Sequence, residues 1–176
     1  MAGEASPKHE HVTKQGYGAA VKEAQFVAAP LLTAAALSLS GVVAGADKAF
    51  RWPGAALILL VITSMTLVFS MQLAYNARAY LFTFAELKDH YEGLPRRVAS
   101  LERMRNEYDK AQDTWENRNY VAVLTYDAGS LLLGLSVAAC LVPPDGRDQW
   151  PVRWAAAVIV CVGTMADAIW MVRKKW

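Results

Sequence analysis

Four apolar blocks of about 22 residues, near 25–46, 54–75, 120–142 and 151–172, dominate the chain. Each is long enough to cross roughly 30 Å of hydrocarbon as a helix, because inside a bilayer a backbone must satisfy its own polar groups. The expected fold class is therefore an all-α membrane protein with four transmembrane helices. What remains of the 176 residues is a polar start (1–24), two short connectors, one long polar segment (77–119) and a tail (173–176). A separate soluble catalytic domain of roughly 100–150 residues has no room in these segments. The first apolar block is longer than the 7–15-residue core typical of a cleaved signal, so it is expected to stay as a membrane span.

Charge orients the spans. An even number of crossings puts 1–24, 77–119 and 173–176 on one side and the two connectors on the other. The first side holds Lys8, Lys14, Lys22, eight basic residues from Arg78 to Arg118, and Arg173, Lys174 and Lys175, giving 14 of the 18 Lys and Arg. The other side holds Lys48, Arg51, Arg147 and Arg153. Lys and Arg are retained in the cytoplasm, so both termini are expected to be cytoplasmic. Trp52, Trp150 and Trp154 near one boundary, and Tyr75, Tyr80, Tyr120, Trp170 and Trp176 near the other, read as interfacial aromatic belts. Ala- and Trp-rich usage suggests a high-GC bacterium, hence an inner membrane. A net charge of +2 gives no reason to expect a nucleic-acid partner.

An internal repeat is also visible. Leu37-Ser-Leu-Ser40, Trp52-Pro53 and Ile62-Thr-Ser-Met65 recur about 96 to 100 residues later as Leu133-Gly-Leu-Ser136, Trp150-Pro151 and Val162-Gly-Thr-Met165. Two helical hairpins of the same orientation follow, as a parallel repeat, with chance likeness of apolar segments as the alternative.

In 77–119, Gly93-Leu94-Pro95 is the one strong breaker, which predicts a cytoplasmic helical-hairpin stalk. Its first arm repeats Tyr80, Phe84, Leu87 and Tyr91. Its second arm carries Val98, Leu101, Met104, Tyr108, Ala111 and Trp115 at helical spacing, a narrow coiled-coil seam. Arg103/Glu107 and Arg105/Asp109 pair outside it. That seam needs a partner: the other arm, the stalk of a second copy, or a cytoplasmic protein. Span two should run straight into the stalk, and the second arm straight into span three.

Within the spans, two carboxylates stand out. Asp127 and Asp167 fall at similar depth, roughly 8–11 Å inside the cytoplasmic boundary at 1.5 Å per residue. Acids there cost on the order of 2–3 kcal/mol unless they meet water, a cation or a base. They are candidates for an ion path or proton site; the alternative is a structural ion pair with Arg78, Arg118 or Arg173, or snorkelling. Thr63, Thr66 and Ser70 line one face of span two, with Gln72 and Asn76 beyond them, and suit either a wet path or interhelical hydrogen bonds. Gly41 and Gly45, and Ser130 and Gly134, are small-x-x-x-small pairs that predict close helix packing in a tight bundle.

Other chemistry is poorly provided for. Cys140 and Cys161 lie inside spans and read as small packing residues. His9-Glu10-His11 is a weak metal set on a polar tail, and His90 reads as solvated. With no histidine in a span, bis-histidine haem has no ligands. No nucleotide-binding loop or nucleophile motif is present, so neither an enzyme nor a cofactor is expected.

A membrane hairpin (25–76) followed by a long polar helical segment (77–119), with Trp115-Glu-Asn-Arg118-Asn-Tyr120 leading into the next span, resembles the layout of SLATT-type small bacterial membrane effectors. The resemblance implies a pore that opens on a cytoplasmic signal; this chain differs in having a second hairpin. The leading expectation is a homo-oligomeric ion channel or pore-forming effector gated through the stalk. A non-conducting scaffold or accessory subunit is the alternative, and a small proton-coupled exporter the third.

Overall fold

The computed structural model describes residues 23–80, 101–144 and 150–174. Among them, regular structure is helical throughout. Helix α1 (Ala29–Gly45) is entered through a π-helical turn at Ala24–Ala28. After a 3₁₀ turn at Asp47–Ala49 come α2 (Pro53–Arg78), α3 (Leu101–Leu141) and α4 (Trp150–Lys174). All four helices are long and apolar enough to cross a membrane. The polar tail with His9-Glu10-His11, the expected first stalk arm beyond Tyr80, the Gly93-Leu94-Pro95 turn and Val98 lie outside the described residues.

Prolines set several helix boundaries. Pro53 and Pro151 occupy the first turns of α2 and α4, where a missing N–H costs nothing. Pro143-Pro144 follows directly on the end of α3, because the residue before a proline is driven out of helical geometry. Pro30 explains the π-helical turn: it has no N–H for the carbonyl of Phe26 and its ring crowds that carbonyl, so the turn before it widens.

Helix α2 is the hub. Ser64 apart, its buried positions Ala56, Leu60, Thr63, Leu67, Ser70, Ala74 and Ala77 alternate steps of four and three, the 3.5-residue repeat of left-handed helix packing. Along α3, the matching antiparallel stripe includes Ala122, Gly129, Ser136 and Cys140. Two contacts set the register. The hydroxyls of Thr63 and Ser136 lie 3.2 Å apart, and Leu67 sits on Gly129, where an added Cβ would fall 2.7 Å from Leu67 Cδ2. Helix α1 packs on α2 through Ala29, Thr33, Ala36 and Val43. At the Pro53 end, Ala36, Val43, Ala56, Leu60 and Cys140 form a small core shared by three helices. Lipid is as apolar as leucine, so close van der Waals packing of small residues holds this interface together.

Within one chain the described residues do not close into a four-helix bundle. The helices make an open row, α1–α2–α3–α4, in which α4 packs on α3 and, among the described residues, has no packed interface to α1 or α2. Only 6% of the α4 span is buried, against 33% for α2. The sequence repeat does not carry into matching environments either: Thr63 and Ser136 are buried, while their counterparts Gly163 and Ser40 are exposed and half-buried.

One side chain ties the row together at its Trp150 end. Arg153 of α4 donates from Nη2 to the carbonyl of Cys140 (3.1 Å), in the last turn of α3, and from Nη1 to the carbonyl of Ala49 (3.3 Å). A cation on the exposed carbonyls of a helix C-terminus is favourable both as a hydrogen bond and against the helix dipole. Arg153→Ala is expected to lower the thermal unfolding midpoint in detergent, by the equivalent of about 1–2 kcal/mol. An unchanged midpoint would show that the contact contributes nothing.

The second arm of the polar segment and span three are one unbroken helix, α3, of 41 residues. At 1.5 Å per residue it is about 60 Å long, twice the hydrocarbon thickness, so its charged first half extends beyond the apolar layer. The Arg103–Glu107 pair forms on it at 3.5 Å.

Candidate functional site

The two acids expected to carry chemistry sit on α3 and α4, helices that pack on each other. Asp127 is half-buried on α3 and Asp167 is exposed on α4. Tyr126 on α3 has its hydroxyl within electrostatic reach of both carboxylates. Asp167 stands seven residues before the end of α4 at Lys174, about 10 Å along the axis. Of the bases considered as ion-pair partners, Arg78 has its Cζ over the ring of Phe26, 3.6 Å from the centre, and Arg118 has its Cζ over that of Tyr80 at 4.5 Å.

The hydroxyl stripe of α2 divides. Thr63 and Ser70 are fully buried in the seam with α3, donating to the carbonyls of Leu59 (2.7 Å) and Leu67 (2.7 Å). Thr66 is half-buried and donates to the carbonyl of Ile62 at 2.8 Å. Hydroxyls satisfied by their own helix are inexpensive in hydrocarbon. In this geometry Thr63 and Ser70 serve helix packing. Gln72 and Asn76, further along, face outward and line a shallow groove of about 450 Å³ with Phe26, Met71 and Tyr75.

Small-residue pairs also divide. An added Cβ at Gly41 or Gly45 would meet nothing within 4 Å, so this pair makes no contact inside the chain. The rotation of α1 is set by Ala29, Thr33, Ala36 and Val43, which leaves both glycines on the open side. Gly134 is a true close approach, since a Cβ there would overlap the hydroxyl of Thr164 on α4. Its neighbour in the motif, Ser130, donates to the Asp127 carbonyl at 2.8 Å. On the stalk face, α3 begins at Leu101, Met104 is buried, and Tyr108 and Trp115 are half-buried.

Three features escaped sequence reading. Gly129, the seat of Leu67, sits five residues before Gly134 on a different face and belongs to no small-x-x-x-small pair with it. Arg153 read only as an outside charge. The widened turn before Pro30, which holds a buried Gln25 whose Nε2 finds no hydrogen-bond partner among the described residues, was signalled by that proline alone.

Comparison with protein-family models, curated proteins and solved structures found no match for this chain.

Proposed function

We propose that the protein is the subunit of a homo-oligomeric ion channel or pore-forming effector in a bacterial inner membrane. In this reading both termini are cytoplasmic, and the polar segment 77–119 is a stalk that passes a signal to the spans. The observation that carries the reading is Asp167, an ionisable side chain exposed on α4, the least covered helix, beside Asp127 and Tyr126. A carboxylate at this depth costs about 2–3 kcal/mol against hydrocarbon and far less against a water-filled path or a second copy. Closing the open row with further copies would put the acids where they attract cations. The layout shared with SLATT-type effectors agrees with this.

A non-conducting scaffold is the second reading, favoured by one observation. Thr63 and Ser70, the best hydroxyls for a wet path, are buried between α2 and α3. The first test is the mass of the purified protein in mild detergent, by native mass spectrometry. A closed assembly of three or more copies is the expected result; a monomer, or a complex with a second polypeptide, overturns the channel in favour of the scaffold. A small exporter working around the same acids would instead reveal itself by proton-coupled substrate flux.

A further inference from the structure

Arg78 is an arginine fixed in place without an anion. Its guanidinium carbon lies over the ring of Phe26, 3.6 Å from the centre, close enough for stacking, and it has no acidic partner among the described residues. Stacking engages the face of the guanidinium and leaves its in-plane N–H donors directed outward, the arrangement that matches a phosphate. Phe26 is also one wall of the groove of about 450 Å³ between the start of α1 and the end of α2, whose other walls are Met71, Gln72, Tyr75 and Asn76. The turn widened before Pro30 is what presents Phe26 at this point.

Along α2 the side that carries Arg78 is graded. Met71 and Tyr75 stand seven and three residues before Arg78 on that side of the helix, and both line the groove, with Gln72 and Asn76 beside them. The order is therefore thioether, phenol, cation, running from the hydrocarbon to its boundary. Tyr75 adds an interfacial hydroxyl beside the amides.

We propose that this side of α2 binds an anionic phospholipid, with the phosphate on Arg78, the glycerol and ester region at Tyr75 and the neighbouring amide of Gln72, and an acyl chain entering the groove along Met71 and Phe26. Charge complementarity favours this occupant: the stacked cation sits at the membrane boundary, where lipid phosphate is the abundant anion. Arg118, held on Tyr80 at 4.5 Å, presents a second stacked guanidinium on the adjoining helix at this same end of the row. At the opposite end Arg51 lies more loosely over Trp52, at 5.6 Å, and has further interactions of its own, so it serves as a control.

The test uses the full chain in mild detergent, offered equal amounts of phosphatidylglycerol and phosphatidylcholine, with bound lipid counted by native mass spectrometry. One tightly held phosphatidylglycerol is expected, preferred by about fivefold or more. Arg78→Gln abolishes the preference. Arg78→Lys, which keeps the charge and loses the planar fork, weakens it, as does Phe26→Ala, which removes the platform and keeps the arginine; Arg51→Gln binds like the unaltered protein. Equal retention of the two lipids by the unaltered protein overturns the site, and so does a preference that survives in both Arg78→Lys and Phe26→Ala. Displacement of the lipid by millimolar inorganic phosphate also overturns it, because the site would then be one for the free anion.

Discussion

Leucine in place of Gly134 is expected to detach α4 from α3. The hydroxyl of Thr164 already occupies the space a Cβ would need, and α4 has no packed interface with α1 or α2 to fall back on. Overpacking at a close contact typically costs about 1–3 kcal/mol, and α4, with 6% of its span buried, has little else to hold it. The thermal unfolding midpoint in detergent should fall clearly. Combining Gly134→Leu with Thr164→Gly should restore part of the loss, because the second change vacates the contested space and the two sites are in contact. Gly41→Leu and Gly45→Leu are the counterparts: with nothing within 4 Å of either, they leave the fold of the single chain intact. A Gly134→Leu variant that melts like the unaltered protein would mean that α4 is not docked on α3 as described.

The second large effect concerns selectivity. Replacing both Asp127 and Asp167 with asparagine is expected to reduce cation over anion permeability in planar bilayers. Under a tenfold salt gradient a perfectly cation-selective path reverses near about 59 mV. The unaltered protein should reverse on the cation side of zero, and the double variant should lose more than half of that potential. Asp167→Asn alone should produce most of the change, because Asp167 is exposed and Asp127 is half-buried. An unchanged reversal potential would remove the acids from the ion path, whatever the conductance.

The sequence was most informative where many residues vote together. Four apolar blocks predicted four helices whose ends, the start of α3 apart, differ from the expected bounds by a few residues, since Pro53 and Pro151 mark starts and Pro143 a stop. The continuity of the polar segment from Leu101 with span three was also legible, because the helical spacing of Leu101, Met104, Tyr108 and Trp115 runs on toward Tyr120 with no breaker between. Rotation of each helix about its axis was not legible. A pair such as Gly41 and Gly45 announces a flat surface without saying which way it faces, and α1 turns its Ala29–Val43 stripe to α2 instead. In a uniformly apolar span no hydrophobic gradient separates inside from outside, so the buried face is chosen by shape: Gly129 receiving Leu67, Gly134 receiving Thr164. Hydroxyls are ambiguous for the same reason, and only packing distinguishes Thr63, pressed against Ser136, from Thr66, which is not.

Between Leu101 and Ala128 the long helix α3 contains neither proline nor glycine, so it has no built-in joint over that length. Its close contacts, Leu67 against Gly129, Thr164 against Gly134 and Thr63 against Ser136, all fall from Gly129 onward. A stiff rod gripped over that stretch carries any displacement of its Leu101 tip, about 42 Å from Gly129, into the gripped end as a tilt. That end holds the Cys140 carbonyl to which Arg153 is bonded, so a push on the charged tip would be felt by α4.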